Sequence, residues 1–311
     1  MAWTTADIRD LDGRTALVTG ATGGLGLQTA LGLAKAGARV LVGARDAGRG
    51  EDAAARIAAE AAGAQVEVVR LDLADLESVR DAAEEVRERG EPLELLVLNA
   101  GVMALPRRTT ADGFEMQLGT NHLGHFALAA QLLPALLEAP DPRVVTVSSG
   151  AHKFGRIDFQ DLQSERRYRR WRAYGQSKLA NLLFAFELQR RAAAADLPLR
   201  SMAAHPGYAA TNLQAAGPKM SGNQAGELLM AVGNRLFAQS DADGALPILY
   251  AATADLPGAS YAGPSGRGEM QGSPTLVSPS HAATDEAVAR RLWAVSEELT
   301  GVRFELPAPV A

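Results

Sequence analysis

Near the N-terminus the chain reads Thr15-Ala16-Leu17-Val18-Thr19-Gly20-Ala21-Thr22-Gly23-Gly24-Leu25-Gly26. The first five of these residues form a short apolar run that is typical of a buried parallel strand. A glycine-rich turn follows, and helical sequence continues over 27–35 until Gly37 ends it. A strand, a glycine-rich turn and a helix in this order direct backbone N–H groups and a helix N-terminus toward a phosphate. The segment therefore predicts a dinucleotide site, and the alternative is a glycine-rich turn that holds no ligand.

Apolar strands and helical segments alternate along the rest of the chain. The pattern predicts strands at 39–43, 66–71, 93–98, 143–147 and 199–204, and helices at 47–62, 75–89, 114–137, 174–191 and 286–299. This alternation favours an α/β fold, in which one doubly wound parallel sheet of the Rossmann type carries helices on both faces. We expect a single domain over 1–311, with a cofactor half at about 13–150 and a catalytic and substrate half at about 151–300.

The end of the second predicted strand bears on the choice of dinucleotide. A site that prefers NAD usually places an acid here for the ribose 2′-hydroxyl, whereas an arginine suits a 2′-phosphate. Ala44 occupies the acidic position and Arg45 follows it. This favours NADP(H), while NAD(H) stays possible because the carboxylate of Asp46 could serve the ribose. Arg45 could also be a solvated loop residue.

Several polar segments follow other predicted strands. They are Asp72-Leu73, Asn99-Ala100-Gly101 and Ser149. Because ligands bind outside the carboxyl ends of parallel strands, we expect these segments to lie near the glycine-rich turn.

Tyr174 and Lys178 are four residues apart and therefore share one face of a helix. An ammonium near a phenol lowers the phenol pKa, because a cation favours the charged form. Such a phenol could give a proton to a carbonyl or take one from an alcohol, and the Ser149 hydroxyl could hold the same oxygen. The alternative for the pair is a solvated helix face. Asn121 lies inside a predicted helix, where asparagine is unfavourable, so it has either a polar task or a role at a kink.

Composition excludes several other classes of protein. The 311 residues carry a formal net charge of −5 and no cysteine, which argues against a nucleic-acid-binding surface and rules out disulfides and thiolate metal sites. His122 and His125 could in principle bind a metal, but they have no acidic or cysteine partner nearby.

We find no membrane span and no signal peptide, and we expect a cytoplasmic protein. The basic run 166–172 suggests a solvated insert helix or an interface more than a nucleic-acid site.

Taken together, these motifs resemble those of the short-chain dehydrogenase/reductase family. The motif residues, in the order of the family, are Thr19, Gly20, Gly24, Gly26, Asn99, Ala100, Gly101, Asn121, Ser149, Tyr174 and Lys178. Between Ser149 and Tyr174 lie 24 residues, more than in many members. This length, together with the segments 151–157 and 177–181, is similar to the branch of the retinol dehydrogenases and protochlorophyllide reductases.

The resemblance implies roles for individual residues. Tyr174 would be the general acid or base, Lys178 would lower its pKa and bind the nicotinamide ribose, and Ser149 would bind the substrate oxygen. Asn121 would hold a water that relays protons to Lys178. The implied cofactor contacts are Gly20, Thr22, Gly23, Gly24, Leu25, Gly26, Arg45, Asp72, Leu73, Asn99, Ala100, Gly101, Tyr174, Lys178, Pro206, Gly207 and Thr211.

The segment 212–240 would form a lid over the substrate. Its apolar residues, including Met230, suggest a lipophilic small-molecule substrate, although they could equally face the core. The resemblance implies an NADP(H)-dependent oxidoreductase acting on a carbonyl or a primary or secondary alcohol, in a homodimer or homotetramer. Reduction of a C=C bond is a variant, and a non-catalytic NADP-binding sensor or scaffold is the other class of function.

Overall fold

The computed structural model describes residues 2–208 and 239–306, which together build one eight-stranded sheet. The strands are β1 (Thr15–Thr19), β2 (Arg39–Ala44), β3 (Val66–Arg70), β4 (Leu95–Leu98), β5 (Arg143–Val147), β6 (Arg200–Ala204), β7 (Tyr261–Pro264) and β8 (Pro274–Leu276). Their spatial order is β3-β2-β1-β4-β5-β6-β7-β8. Strands β1 to β7 are parallel, and β8 pairs with β7 in the antiparallel sense. The predicted α/β fold is confirmed.

Helices cover both faces of this sheet. They are α1 (Gly24–Lys35), α2 (Ala47–Glu60), α3 (Leu76–Glu88), α4 (Met116–Leu118), α5 (Gly124–Leu137), α6 (Arg170–Ala194), α7 (Asp241–Thr253) and α8 (Glu286–Thr300). Successive side chains of a strand point to opposite faces, so Ala16 and Val18 of β1 join one core cluster while Leu17 joins a second cluster on the opposite face. None of the helices described here is long and apolar enough to cross a membrane.

The order of the strands places a crevice between β1 and β4. The chain moves outward in one direction from β1 to β3 and in the other direction from β4 onward. The loops after β1 and β4 therefore diverge at the carboxyl edge, which is where open α/β sheets bind ligands.

The helix that we predicted over 114–137 is interrupted. Between α4 and α5 the chain forms a π-helical turn, Gly119–Leu123, with Asn121 at its middle. The turn lies against neighbouring backbone, since a Cβ on Gly124 would collide with the carbonyl oxygen of Leu73. A π-helical turn inside an α-helix is often found at a functional site.

The prediction of an insert helix over 166–172 was wrong for most of that run. Helix α6 begins only at Arg170. Before it, the Tyr168 hydroxyl donates to the carbonyl oxygen of Leu105 at 2.8 Å and accepts from Gln117 Nε2 at 2.9 Å. These contacts to distant segments hold residues 166–169 outside any helix.

Candidate active site

A cleft of about 810 Å³ lies at the carboxyl edge of the sheet. The residues predicted from the sequence that line it are Gly20, Thr22, Gly23, Gly24, Leu25, Gly26, Arg45, Asp72, Leu73, Asn99, Ala100, Gly101, Ser149, Tyr174, Lys178, Pro206 and Gly207. Asn121 lies behind the wall of the cleft, and Thr211 is outside the described residues, as are residues 212–238 of the predicted lid. The fold thus brings together segments that are far apart in the chain.

The glycine-rich turn after β1 has the form of a phosphate site. A Cβ on Gly26 would lie 2.5 Å from Asn99 Nδ2 and closer still to the carbonyl oxygen of Gly20, so this glycine is needed for packing. A Cβ on Gly23 would instead meet nothing within 4 Å. No side chain caps the N-terminus of α1, which leaves its first N–H groups for a ligand. An open turn of this kind fits a dinucleotide pyrophosphate.

The cleft is cationic where it is lined by the segment that follows β2. Arg45 and Arg49 both line the cleft, and within the described residues neither forms an ion pair. Asp46 lies between them, and its carboxylate caps helix α2 by accepting the Arg49 backbone N–H at 2.9 Å. This acid is therefore engaged with the helix, while the two arginines remain open to an anion.

Hydrogen bonds hold the loop after β4 against the loop after β1. The Thr19 hydroxyl accepts from the backbone N–H groups of Asn99 and Ala100 at 2.9 and 3.0 Å. The Asn99 side chain donates to the carbonyl oxygen of Thr19 at 2.9 Å. After β3, a carboxylate oxygen of Asp72 accepts the Ala74 backbone N–H at 3.0 Å. The floor of the cleft is thus fixed by contacts between its own segments.

Tyr174 and Ser149 approach each other across the cleft. Tyr174 lies on α6, and Ser149 follows β5 and caps the short 3₁₀ helix Gly150–Phe154. Burial raises the pKa of Tyr174 to about 12, above its ordinary value of 10, and a hydrogen bond with the Ser149 side chain acts in the opposite direction. Burial is the larger effect because a phenolate loses more hydration than a phenol.

Lys178 lies one turn along the same helix. Its Nζ is 5.8 Å from the centroid of the Tyr174 ring and donates to the carbonyl oxygen of Val147 at 3.2 Å. Burial lowers the pKa of Lys178 to about 8. We expected this lysine to bring the pKa of Tyr174 down toward neutrality, and in the protein by itself that is not found. Burial disfavours the charged form of each group, so it raises the pKa of Tyr174 and lowers that of Lys178.

The Asn121 side chain anchors the loop beside Lys178. Its Oδ1 accepts the Val102 backbone N–H at 2.7 Å, and its Nδ2 donates to the carbonyl oxygen of Val102 and to the Ser177 hydroxyl, both at 2.9 Å. A Cβ on Gly101 would lie 3.1 Å from Asn121 Oδ1 and 3.4 Å from Lys178 Nζ. The π-helical turn therefore places an asparagine next to the lysine, with its amide committed to the loop.

The two histidines of the π-turn region are buried and bonded within the protein. His122 Nε2 lies 2.9 Å from the Ser296 hydroxyl, and His125 bridges Thr19 Oγ1 and the carbonyl oxygen of Asn121 at 2.9 and 3.0 Å. Burial lowers the pKa of each to about 3. Across residues 2–208 and 239–306, there is no group of three or more histidine, aspartate or glutamate side chains that could hold a metal ion. The pair supports the packing of the site.

Sequence reasoning missed several residues of the cleft. They are Arg49, Val102, Met103, Thr120, Ser148, Ala151, Phe154, Trp171 and Tyr208, together with Gly43, Leu71 and Val147. For one of them a signal existed. Trp171 is one turn before Tyr174 on the same helix, so it shares a face with a predicted residue. Arg49 lies in the first turn of α2, whereas Arg45 precedes the helix.

Comparison with known proteins agrees with this architecture. A family model described as short chain dehydrogenase matches residues 14–221. Human retinol dehydrogenase 12 is 41% identical over 298 residues, which cover 95% of this chain and 89% of that protein. Mouse polyprenol dehydrogenase is 42% identical over 297 residues, which cover 93% of this chain and 84% of that protein.

Solved structures agree as well. A crystal structure of an uncharacterised protein from Mycobacterium paratuberculosis superimposes with a TM-score of 0.81 and 46% identity, covering 98% of this chain and all of that one. A second structure, from Beutenbergia cavernae, is provisionally described as an NAD(P) dependent gluconate 5-dehydrogenase with bound NADP. It superimposes with a TM-score of 0.58 and 30% identity, covering 78% of this chain and 91% of that one. The chain therefore belongs to the short-chain dehydrogenase family, as an α/β oxidoreductase related to the retinol dehydrogenases.

Proposed function

We propose that this protein transfers a hydride between NADP(H) and the carbonyl or alcohol group of a lipophilic small molecule. The observation that carries the proposal is the juxtaposition of Tyr174, Ser149 and Lys178 in one cleft beside the open glycine-rich turn. A phenol, a hydroxyl and an ammonium at one point can donate a proton to an oxygen and stabilise its developing charge.

The residues divide the chemistry between them. In the reducing direction the Tyr174 hydroxyl donates its proton to the substrate oxygen, and the Ser149 hydroxyl donates a second hydrogen bond to that oxygen. The Lys178 ammonium favours the phenolate that remains, because a nearby cation lowers its energy. The nicotinamide, when bound, supplies the hydride or accepts it. In the oxidising direction the same groups act in reverse, and Tyr174 takes the proton of the alcohol.

The raised pKa of Tyr174 suits it to be a proton donor. With a pKa of about 12 the phenol keeps its proton at neutral pH. It releases that proton only when the substrate oxygen gains charge and the ammonium of Lys178 is close. Charge on Lys178 is therefore part of the proposal, and a pKa of about 8 leaves that side chain mainly protonated at pH 7.

The cationic part of the cleft supports a preference for NADP(H). Arg45 and Arg49 lie at the end of β2 and the start of α2, where a cofactor with a 2′-phosphate would present its extra anion. Guanidinium groups bind phosphate in a bidentate way. The hydrogen bond from the Arg49 backbone N–H to the Asp46 carboxylate supports the same preference, because it directs one oxygen of this acid to helix α2.

A lipophilic substrate is supported by the apolar side of the cleft. Met103, Phe154 and Trp171 line it near Tyr174, and both aromatic side chains are exposed to solvent. Large exposed apolar groups beside a reactive site favour an apolar ligand. The names of two relatives, a retinol dehydrogenase and a polyprenol dehydrogenase, point in the same direction.

The proposal is tested by following the absorbance of NADPH. It should fall when NADPH is mixed with lipophilic aldehydes or ketones, and rise when NADP⁺ is mixed with the matching alcohols. We expect turnover of at least one pair of carbonyl and alcohol, with the product identified by mass and by retention time. Tight NADPH binding without turnover in either direction would point to the sensor or scaffold alternative. A product reduced at a C=C bond, with its carbonyl intact, would point to the other alternative. Assembly as a homodimer or homotetramer and a cytoplasmic location stay predictions.

A further inference from the structure

A second concavity of about 710 Å³ adjoins the cleft. It is lined by Leu105, Pro106, Phe154, Tyr168, Arg169, Arg170, Trp171 and Arg172. Phe154 and Trp171 also line the cleft, so the two spaces share an aromatic wall. We call this second concavity the arginine groove.

The shared wall connects the arginine groove to the reacting group. Trp171 precedes Tyr174 by one turn of α6, and their ring centroids are 6.1 Å apart in an edge-to-face arrangement. Trp171 is 45% exposed and Phe154 is 59% exposed. Exposing this much aromatic surface to water is costly unless a ligand or partner covers it. An apolar chain leaving Tyr174 would therefore run over these two rings.

The base of the groove is held in place. Tyr168 is tied to Leu105 and Gln117 by hydrogen bonds of 2.8 and 2.9 Å. The same Gln117 amide donates to the carbonyl oxygen of Arg170 at 3.0 Å. These contacts use the Arg170 backbone and leave its guanidinium outside the network, so the start of α6 is fixed without the arginine side chains.

Positive charge accumulates around the arginine groove. The segments 105–108 and 166–172 carry seven exposed arginines: Arg107, Arg108, Arg166, Arg167, Arg169, Arg170 and Arg172. Among the residues that the structure describes, only Arg172 of this set forms an ion pair, with Asp158 at 2.8 Å.

Nearby acids do not balance this charge. Glu115 is buried and accepts the backbone N–H groups of Gln117 and Leu118. Asp161 accepts the backbone N–H groups of Glu165 and Arg166. Glu165 is exposed and offsets a single charge. Arg169 and Arg170 thus line a concave surface, and no anion of the described part of the chain pairs with their guanidinium groups.

We propose that the arginine groove binds an acidic group, a carboxylate or a phosphate, at the far end of an amphiphilic substrate. The reacting carbonyl or alcohol lies at Tyr174, the apolar middle lies over Trp171 and Phe154, and the anion lies between Arg169 and Arg170. From Tyr174 to Arg170 the helix rises only about 6 Å, so one molecule spans both spaces. This inference rests on the proposed function, whose substrate class it makes specific.

The test compares two substrates that differ only in charge at the far end. One is an ω-oxo fatty acid, an aldehyde at one end and a carboxylate at the other, and the second is its methyl ester. For the wild-type enzyme we expect kcat/KM to favour the acid by about tenfold, the usual size of a charge-assisted hydrogen bond. The double variant Arg169→Gln/Arg170→Gln removes this preference through a higher KM for the acid. The kcat and KM for the methyl ester should be unchanged in this variant.

A matched control comes from the same run of arginines. The double variant Arg166→Gln/Arg167→Gln removes the same charge from exposed side chains that do not line the groove. It keeps the preference for the acid. If both double variants reduce the preference equally, overall charge is responsible and the inference is wrong.

A binding measurement separates failure of the inference from failure of the proposed function. The affinity of dodecanoic acid and of its methyl ester for the NADPH complex is followed by tryptophan fluorescence, with the same variants. If Arg169→Gln/Arg170→Gln binds dodecanoic acid more weakly than the wild type does, but binds the methyl ester equally well, the inference is supported. This holds even if no aldehyde is reduced, and in that case only the proposed function is wrong. Equal affinity for acid and ester overturns the inference. The inference is also overturned if Arg169→Gln/Arg170→Gln loses binding to phosphatidylserine vesicles but keeps the wild-type preference for the acid.

Discussion

The carboxylate of Asp46 accepts the backbone N–H of Arg49 at 2.9 Å, and this contact ties the acid at the end of β2 to the first turn of α2. The arginines on either side of Asp46 are left free to meet an anion in the cleft. The double variant Arg45→Gln/Arg49→Gln is therefore expected to weaken NADPH binding by about 10- to 100-fold, since charge-assisted hydrogen bonds contribute roughly 1.5–3 kcal/mol. Binding of NADH should change little.

Isothermal titration with both dinucleotides measures this difference. Arg56→Gln is the control, because Arg56 lies on the same helix but pairs with Glu60 at 2.8 Å and does not line the cleft. A parallel loss of NADPH and NADH affinity would mean that the arginines shape the loop and do not select the 2′-phosphate.

Two glycines of the first turn are expected to respond differently to alanine. In Gly26→Ala the new methyl group meets Asn99 and the carbonyl oxygen of Gly20, so the protein should lose several degrees in Tm. In Gly23→Ala the methyl group enters open space, and its backbone φ of 176° suits any residue. This variant should keep its Tm and bind NADPH at least tenfold more weakly, because the methyl group takes the space of the phosphate.

Thermal unfolding and NADPH titration of both variants check this contrast. Normal NADPH affinity in a stable Gly23→Ala variant would show that the phosphate does not approach this residue.

The pH dependence of reduction should reflect Lys178 and not Tyr174. A Tyr174 pKa of about 12 keeps the phenol protonated between pH 6 and 9, whereas a Lys178 pKa of about 8 removes the ammonium above that pH. The value of kcat/KM, which reports groups of the free enzyme, should be flat from pH 6 to 7.5 and fall above pH 8. In Lys178→Met it should be low and independent of pH over this range. A rise between pH 7 and 9 in the wild type would contradict the assignment.

Buried histidines should make the fold sensitive to mild acid. The pKa values of His122 and His125 are lowered to about 3 and that of His205 to about 4, and burial also lowers the pKa of His152. The unfolded chain binds these protons near pH 6.5 and the native chain does not, so the free energy of unfolding falls as the pH drops from 7 toward 4. Each fully buried histidine should lower the free energy of unfolding by roughly 1.4 kcal/mol at pH 5.5.

Urea unfolding at pH 7.5 and pH 5.5 measures this loss. His122→Gln should reduce the difference between the two pH values, whereas His281→Gln, at an exposed residue, should leave it unchanged. Stability that rises toward pH 5.5 would contradict the buried neutral state of these side chains.

The sequence predicts the parts of the site that depend on local spacing. Gly20 to Gly26 must follow a strand and open a helix, and Tyr174 and Lys178 must share a helix face, so both arrangements can be read from neighbouring residues. All six strands predicted before residue 205 are present. Strand β8 has only three residues and runs antiparallel, and so short a segment carries no periodic signal.

Properties that depend on distant contacts could not be predicted. The pKa of Tyr174 is governed by burial, to which the whole fold contributes. The interruption of the helix at Asn121 depends on Val102 and on the packing of Gly124 against Leu73. The meeting of Phe154 with Trp171 at the border of two concavities likewise depends on how the 3₁₀ helix Gly150–Phe154 packs beside α6.

The role of Tyr174 as proton donor is tested by the rate at which Tyr174→Phe oxidises NADPH with a carbonyl substrate of the wild-type enzyme, measured together with the affinity of the variant for NADPH. The phenylalanine keeps the ring and removes only the hydroxyl that donates the proton. We predict that kcat falls by at least 100-fold, the usual contribution of a general acid, while the Kd of NADPH changes less than about threefold. Wild-type kcat in this variant, with NADPH bound normally, would show that Tyr174 is not the proton donor.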